Sequence, residues 1–180
     1  MRVIAGTARG RRLVAPAGQG TRPTSDRVRE ATFNALVSLG ALEGAVVLDL
    51  FAGSGALGIE ALSRGAERCT FVEVDRAARQ AVSTNLAACG FTARSAIVAG
   101  PADRHLEELE RTGEVVDLAL LDPPYDFDGW EPLLAALPAD LAVVESRDPI
   151  AVPAGWERLR SKGYGRTNVA ILERAGLGAR

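Results

Sequence analysis

Apolar and polar positions in this chain follow two alternating rhythms. Short apolar runs at 46–51, 69–74, 95–99 and 116–121 are suited to buried parallel strands. Stretches near 56–64, 76–89 and 102–111 place their apolar residues at helical spacing between them. A further helix at 133–137 and strand at 141–145 continue the alternation. Segments 156–162 and 167–173 flank Gly163-Tyr164-Gly165 and predict a terminal hairpin. Upstream, residues 26–39 predict a helix whose apolar stripe is Val28, Ala31, Ala35, Leu36 and Leu39, with Thr24 or Ser25 as its cap and Gly40 at its close. Residues 2–5 and 11–14 predict two short strands joined by the turn 6–10. This order predicts an α/β protein with a doubly wound, mostly parallel sheet of seven strands and its site at the carboxyl ends of the strands.

Composition adds little to that picture and charge adds more. The chain has 180 residues, 47% hydrophobic and 24% charged, which suits one soluble domain with its own core. With no apolar run long enough to span a bilayer and no signal-like start, the expectation is a cytoplasmic protein without membrane attachment. Two cysteines and a single histidine, His105, make no metal site, so none is expected. Net charge is −2, yet residues 1–30 carry +5 and the rest −7. A basic arm on an acidic body is the footprint of a nucleic-acid-binding appendage.

The chemistry lies at the strand ends. The first strand runs into Gly53-Ser54-Gly55-Ala56-Leu57-Gly58, a pattern that lets a ligand approach the backbone and that a dinucleotide enzyme would share. Asp49, four residues before Gly53, decides between them. Its carboxylate would repel a pyrophosphate and attract the ammonium and sulfonium of S-adenosylmethionine. Glu73, closing the second strand just before Asp75, falls where an acid accepts hydrogen bonds from ribose hydroxyls.

The fourth strand ends in Asp122-Pro123-Pro124-Tyr125. An aromatic amino group is a weak nucleophile because its lone pair is delocalised into the ring. The Asp122 carboxylate and the Pro123 carbonyl can accept its two N–H bonds and turn the lone pair towards an electrophilic methyl. The paired prolines preorganise those acceptors, and Tyr125 offers a face on which an extruded base stacks.

With these residues in place the sequence resembles the RsmD family, bacterial guanine-N2 methyltransferases of 16S ribosomal RNA. The likeness rests on Arg2-Val3-Ile4-Ala5-Gly6, on Gly10-Arg11-Arg12-Leu13, on Arg22 to Glu30 with Phe33-Asn34, on the stretch 48–62 and on the tetrapeptide. It implies a Rossmann-like class I methyltransferase fold at 25–180 and an RNA-gripping hairpin extension at 1–24. It implies S-adenosylmethionine held by Asp49, Phe51, Gly53, Ser54, Gly55, Gly58, Glu73, Asp75 and Ala102, and catalysis by Asp122, Pro123, Pro124 and Tyr125. RNA contacts are expected from Arg11, Arg12, Arg22, Thr24, Arg27 and Arg29. The implied substrate is guanine 966 of 16S ribosomal RNA in a small-subunit assembly intermediate, and the enzyme a monomer. Where related enzymes often place a polar residue near the adenine, this chain has Gly100-Pro101-Ala102-Asp103, leaving backbone N–H groups or Asp103 for that contact. The rivals are an amino-methyltransferase of another RNA, of DNA adenine or of a protein glutamine, and a catalytically silent RNA-binding module.

Overall fold

The computed structural model describes residues 1–16 and 26–176. Among these, five α-helices and seven strands follow in the order α1 (Asp26–Ser38), β1 (Val46–Leu50), α2 (Ala56–Ser63), β2 (Arg68–Glu73), α3 (Arg76–Cys89), β3 (Ser95–Ala99), α4 (Ala102–Thr112), β4 (Val116–Leu121), α5 (Trp130–Ala136), β5 (Ala139–Ser146), β6 (Trp156–Tyr164) and β7 (Thr167–Arg174), with one short 3-10 turn at Thr92–Arg94 before β3. The strands form one sheet in the order β3-β2-β1-β4-β5-β7-β6. Strands β1 to β5 are parallel to one another, whereas β7 runs antiparallel to both β5 and β6.

Alternation along the strands sends successive side chains to opposite faces. Val47, Leu118 and Leu120 join a core with Phe33, Leu36, Ile59, Leu62, Val82 and Leu86, from α1, α2 and α3. Leu48, Ala119 and Leu121 join a second core with Leu106, Leu109, Leu133 and Leu134, from α4 and α5. The sheet is therefore covered on both sides, as its apolar strands require. Direction reverses at β1, whose neighbours are β2 on one side and β4 on the other. The carboxyl ends of β1 and β4 form the crevice in which ligands of such sheets sit. No helix among the described residues is long and apolar enough to cross a membrane.

Three expectations need correction. The amino-terminal strands shrink to a single bridge between Arg2 and Arg12, flanked by Val3 N–H to Arg11 O at 3.0 Å and Leu13 N–H to Met1 O at 3.1 Å. Other backbone donors go to α2: Ile4 and Ala5 donate to the Glu60 carboxylate at 2.8 and 3.1 Å, and Ala8 donates to Ser63 Oγ at 3.0 Å. The segment is therefore both paired with itself, Gly10 N–H reaching Val3 O at 2.9 Å as well, and stitched onto α2. Helix α1 is also rotated from its expected stripe. It buries Val28, Arg29, Thr32, Phe33 and Leu36, while Leu39, just beyond it, is 40% exposed, because Phe33 heads the core. Gly40 does close it, at φ 68°, with Ala41 N–H reaching Leu36 O. Finally, β3 is a half-exposed edge strand, since nothing among the described residues pairs beyond it. Thr24 and Ser25, the expected caps of α1, lie outside the described residues.

Candidate active site

The turn after β1 is held from inside by acids. Asp49 is fully buried, and its Oδ2 accepts the Gly58 N–H at 2.9 Å, tying the end of β1 to the first turn of α2. Burial raises its pKa well above the usual carboxylate value; the Gly58 bond opposes this, and the charges of Asp122 and Glu73 push it further up. Glu73 accepts Gly53 N–H through one oxygen and Asp75 N–H through the other, both at 2.8 Å. Asp75 caps α3 by accepting Ala78 N–H at 2.7 Å.

Local backbone geometry explains the glycines. Phe51, Gly53 and Gly55 all adopt left-handed φ values, of 63°, 55° and 76°, so the loop curls sharply before α2 begins. Gly58 serves packing: a Cβ there would stand 2.4 Å from the Phe71 ring and 2.6 Å from Cys69 Sγ. Phe51 is the one non-glycine left-handed residue among those described. Its ring meets Phe127 edge-on at 5.5 Å, and Phe127 meets Trp130 in the same way at 5.1 Å. That aromatic row buttresses the tetrapeptide, where Pro123 is buried, Asp122 half-buried and Tyr125 51% exposed.

A cleft of about 710 Å³ brings these parts together. Asp49, Phe51, Gly53, Ser54, Glu73, Asp75 and Ala102 line it, and so do Asp122, Pro123, Pro124 and Tyr125. Gly55 and Gly58 stand behind it as hinge and packing surface. Gly100, Pro101 and Ala102 form its far wall, whereas Asp103 is exposed and absent from the lining. A smaller cavity of about 370 Å³ lies on the other side of the tetrapeptide, sharing Pro124, Tyr125 and Phe127 with the first.

Of the expected RNA contacts, Arg11, Arg12 and Arg27 are exposed. Arg29 is not one of them. It is 1% exposed, and its guanidinium donates to Arg2 O and to Asp26 Oδ1 and lies 3.8 Å from the Glu60 carboxylate. Its side chain lies inside, in the lining of the cleft, and anchors the amino-terminal segment rather than standing on the outer surface. Arg22 and Thr24 lie outside the described residues.

Several site residues were missed in the sequence. Met1, Ala15 and Pro16 form part of the cleft wall, and buried Glu145 lines it from the end of β5. Glu145 follows an apolar run just as Asp49 closes one, so its position was a usable signal. Asn85 had none: buried mid-helix, it donates to Ser54 O at 2.8 Å and Val14 O at 3.0 Å, and accepts Val14 N–H at 2.8 Å. One amide thereby joins the glycine loop to the amino-terminal segment.

Comparison with known proteins extends these observations. The model of the family described as Conserved hypothetical protein 95 matches residues 1–173. The chain is 36% identical to Ribosomal RNA small subunit methyltransferase D of Escherichia coli K12, over 99% of this chain and 92% of that protein. It is 34% identical to the protein of that name in Haemophilus influenzae, over 96% and 93% of the two lengths. Among solved structures, yhhF of Escherichia coli, described as a methyltransferase, superposes with a TM-score of 0.82 at 38% identity and 97% coverage of each chain. A hypothetical protein of Thermus thermophilus gives a TM-score of 0.83 at 31% identity, covering 96% of this chain and 99% of that one. These matches run through the acid-lined glycine turn and the proline tetrapeptide alike, and the chain belongs to this family, that of the RsmD ribosomal RNA methyltransferases.

Proposed function

We propose that this chain methylates the exocyclic N2 amino group of guanine 966 in 16S ribosomal RNA, with S-adenosylmethionine as methyl donor and a small-subunit assembly intermediate as substrate. The observation that carries the reading is the convergence, in one cleft, of two acids, the buried Asp49 and the half-buried Glu73, with the tetrapeptide Asp122-Pro123-Pro124-Tyr125. The relatives' name, Ribosomal RNA small subunit methyltransferase D, supports the class of RNA.

The residues present fit the cofactor. A cleft of about 710 Å³ is of the size that encloses such a ligand. Asp49 is a buried acid crowded by Asp122 and Glu73, and a cation beside it would relieve both its desolvation and that repulsion. Glu73 uses one lone pair of each oxygen on Gly53 and Asp75, which leaves acceptor capacity for ribose hydroxyls. The lining includes Ala102 but not Asp103, and because Pro101 has no N–H and that of Gly100 donates to Glu73 O, the Ala102 N–H is the backbone donor left for the adenine. When bound, S-adenosylmethionine supplies an electrophilic methyl on sulfonium.

On the substrate side Asp122 accepts one N–H of the target amine and the Pro123 carbonyl accepts the other, localising the lone pair on nitrogen. Asp122 stabilises the positive charge that develops as the N–C bond forms, and water then takes the surplus proton. Tyr125, half-exposed at the mouth, stacks on the base once it leaves its helix. The exposed arginines of the amino-terminal segment, Arg11 and Arg12, hold phosphates, as does Arg27 on α1. Labelled methyl transfer to small-subunit particles, followed by mass mapping of the RNA, tests all of this. N2-methylguanine in the RNA is the expected product; label in adenine, in protein or nowhere would overturn the reading.

A further inference from the structure

The carboxyl-terminal hairpin carries a basic surface separate from the amino-terminal arginines. Between residues 158 and 166 stand Arg158, Arg160, Lys162 and Arg166, with no acid among them, on a body that is otherwise acidic. Residues 157–163 of β6 are all exposed, because β6 is the outer strand of the sheet.

Register fixes where this surface lies. Strand β7 runs antiparallel to β5, so Glu145 is opposite Val169, and Val169 is opposite Lys162 on β6. Glu145 lines the catalytic cleft, and two strand spacings place Lys162 about 10 Å along the same row. The tip of the hairpin, with Gly165 at φ 66° and Arg166 exposed, extends past that row on the side where β4 delivers Asp122.

A bulge decides which way the cations point. Arg158 and Trp156 belong to the face of α4 and α5, since Arg158 is opposite Leu172 of that core. The register shifts at Leu159, and Arg160 and Lys162 then stand opposite Ile171 and Val169, which belong to the core beneath α1, α2 and α3. Directly opposed residues share a face. The bulge therefore moves two cations to the face that carries α1 and the amino-terminal arginines. Lys162 rests over the Tyr164 ring at 5.3 Å, which holds it near the tip. Arg158 is committed elsewhere, donating to Ile150 O at 2.7 Å.

We propose that Arg160, Lys162 and Arg166 form a second phosphate-binding surface, which seats the substrate RNA on the rim beside the cleft while the amino-terminal arginines hold it elsewhere. This rests on the reading of the substrate as RNA. Charged edge strands also guard sheets against pairing with other chains, and that role alone would leave RNA binding untouched by their loss.

The test is the triple variant Arg160→Ala/Lys162→Ala/Arg166→Ala, with Arg160→Lys/Arg166→Lys as the charge-preserving control. Binding to small-subunit particles is measured across a salt series, with cofactor titration and thermal unfolding alongside. Loss of three contacts is expected to lower the salt slope by about two and to weaken RNA binding ~10-fold or more near ~0.1 M salt. KM for RNA should rise with it, cofactor affinity should hold, and the lysine control should keep the wild-type slope. A triple variant that is folded and has the wild-type slope and KM overturns the surface, provided the wild type methylates RNA. Absence of RNA methylation by the wild type overturns the substrate reading, and this surface with it.

Discussion

Asp122 and Asp49 are both carboxylates at strand ends, yet their surroundings ask different things of them. Asp122 is half-buried beside the exposed Tyr125, and we propose that it holds the target amine. Asp122→Ala should therefore leave cofactor binding nearly intact and lower turnover by at least ~100-fold, as single-turnover methyl transfer beside calorimetry would show. Asp49 is fully buried with its pKa raised, above all by burial, so its charged form costs the free protein stability. The folded protein holds that proton more tightly than the unfolded chain does. Stability of the free protein should accordingly fall as pH rises from the usual aspartate range up through the raised value. Asp49→Asn should flatten that slope while weakening cofactor binding by ~1–3 kcal/mol, measurable by melts over pH and by titration. The place of both in one cleft was legible as residue type at a strand end. The proton balance of Asp49 was not, because it depends on how deeply the loop buries it.

At the scale of elements, α2 is the organiser that the sequence did not announce. Glu60 is wholly buried, accepts from Ile4, Ala5 and the Arg64 Nε, and lies 3.8 Å from the Arg29 guanidinium. No role for Glu60 was legible in the sequence, since only tertiary packing brings two arginines and the amino-terminal segment to it. Glu60→Ala should cost ~3–5 kcal/mol, the penalty for leaving buried cations without their partner, as denaturant titration would record. At Gly58 the pattern was visible but only half its reason. The third glycine of the turn admits the Phe71 ring and Cys69, so Gly58→Ala should lose ~1–3 kcal/mol from overpacking before any effect on the cofactor appears. The strands and helices between 46 and 146 were legible almost to their ends, because each carries one unbroken rhythm. The amino-terminal strands pair as expected but over a shorter stretch, because Ile4 and Ala5 donate to Glu60 of α2 instead.

Over the whole molecule, charge is distributed as the sequence suggested, though not through every arginine named there. Arg11 and Arg12 are exposed, while Arg29 is spent on Asp26, Glu60 and Arg2. Arg11→Ala/Arg12→Ala should thus reduce the salt slope of RNA binding by about one to two units and leave cofactor affinity unchanged. Filter binding over a salt series checks it; an unchanged slope with weakened cofactor would make these arginines part of the pocket's support. A doubly wound, mostly parallel sheet could be inferred from the alternation of elements. The joining of the amino-terminal segment to the cleft could not, since Asn85 and Val14 are 71 residues apart in the chain.

That shared amide has a thermodynamic consequence. Asn85 holds Ser54 of the cofactor turn and Val14 of the basic segment with the same side chain, and Met1, Ala15 and Pro16 close the cleft from that segment. Anything that fixes one end must then restrict the other, and such coupling is reciprocal. S-adenosylmethionine should slow hydrogen exchange at the Val14 amide, and RNA held by Arg11 and Arg12 should tighten the cofactor by the same factor by which the cofactor tightens RNA. Equal exchange at Val14 with and without cofactor would reduce the segment to a fixed wall. If the coupling holds, the two substrates are co-ligands of a single ordering event, and neither has a binding constant of its own that is independent of the other.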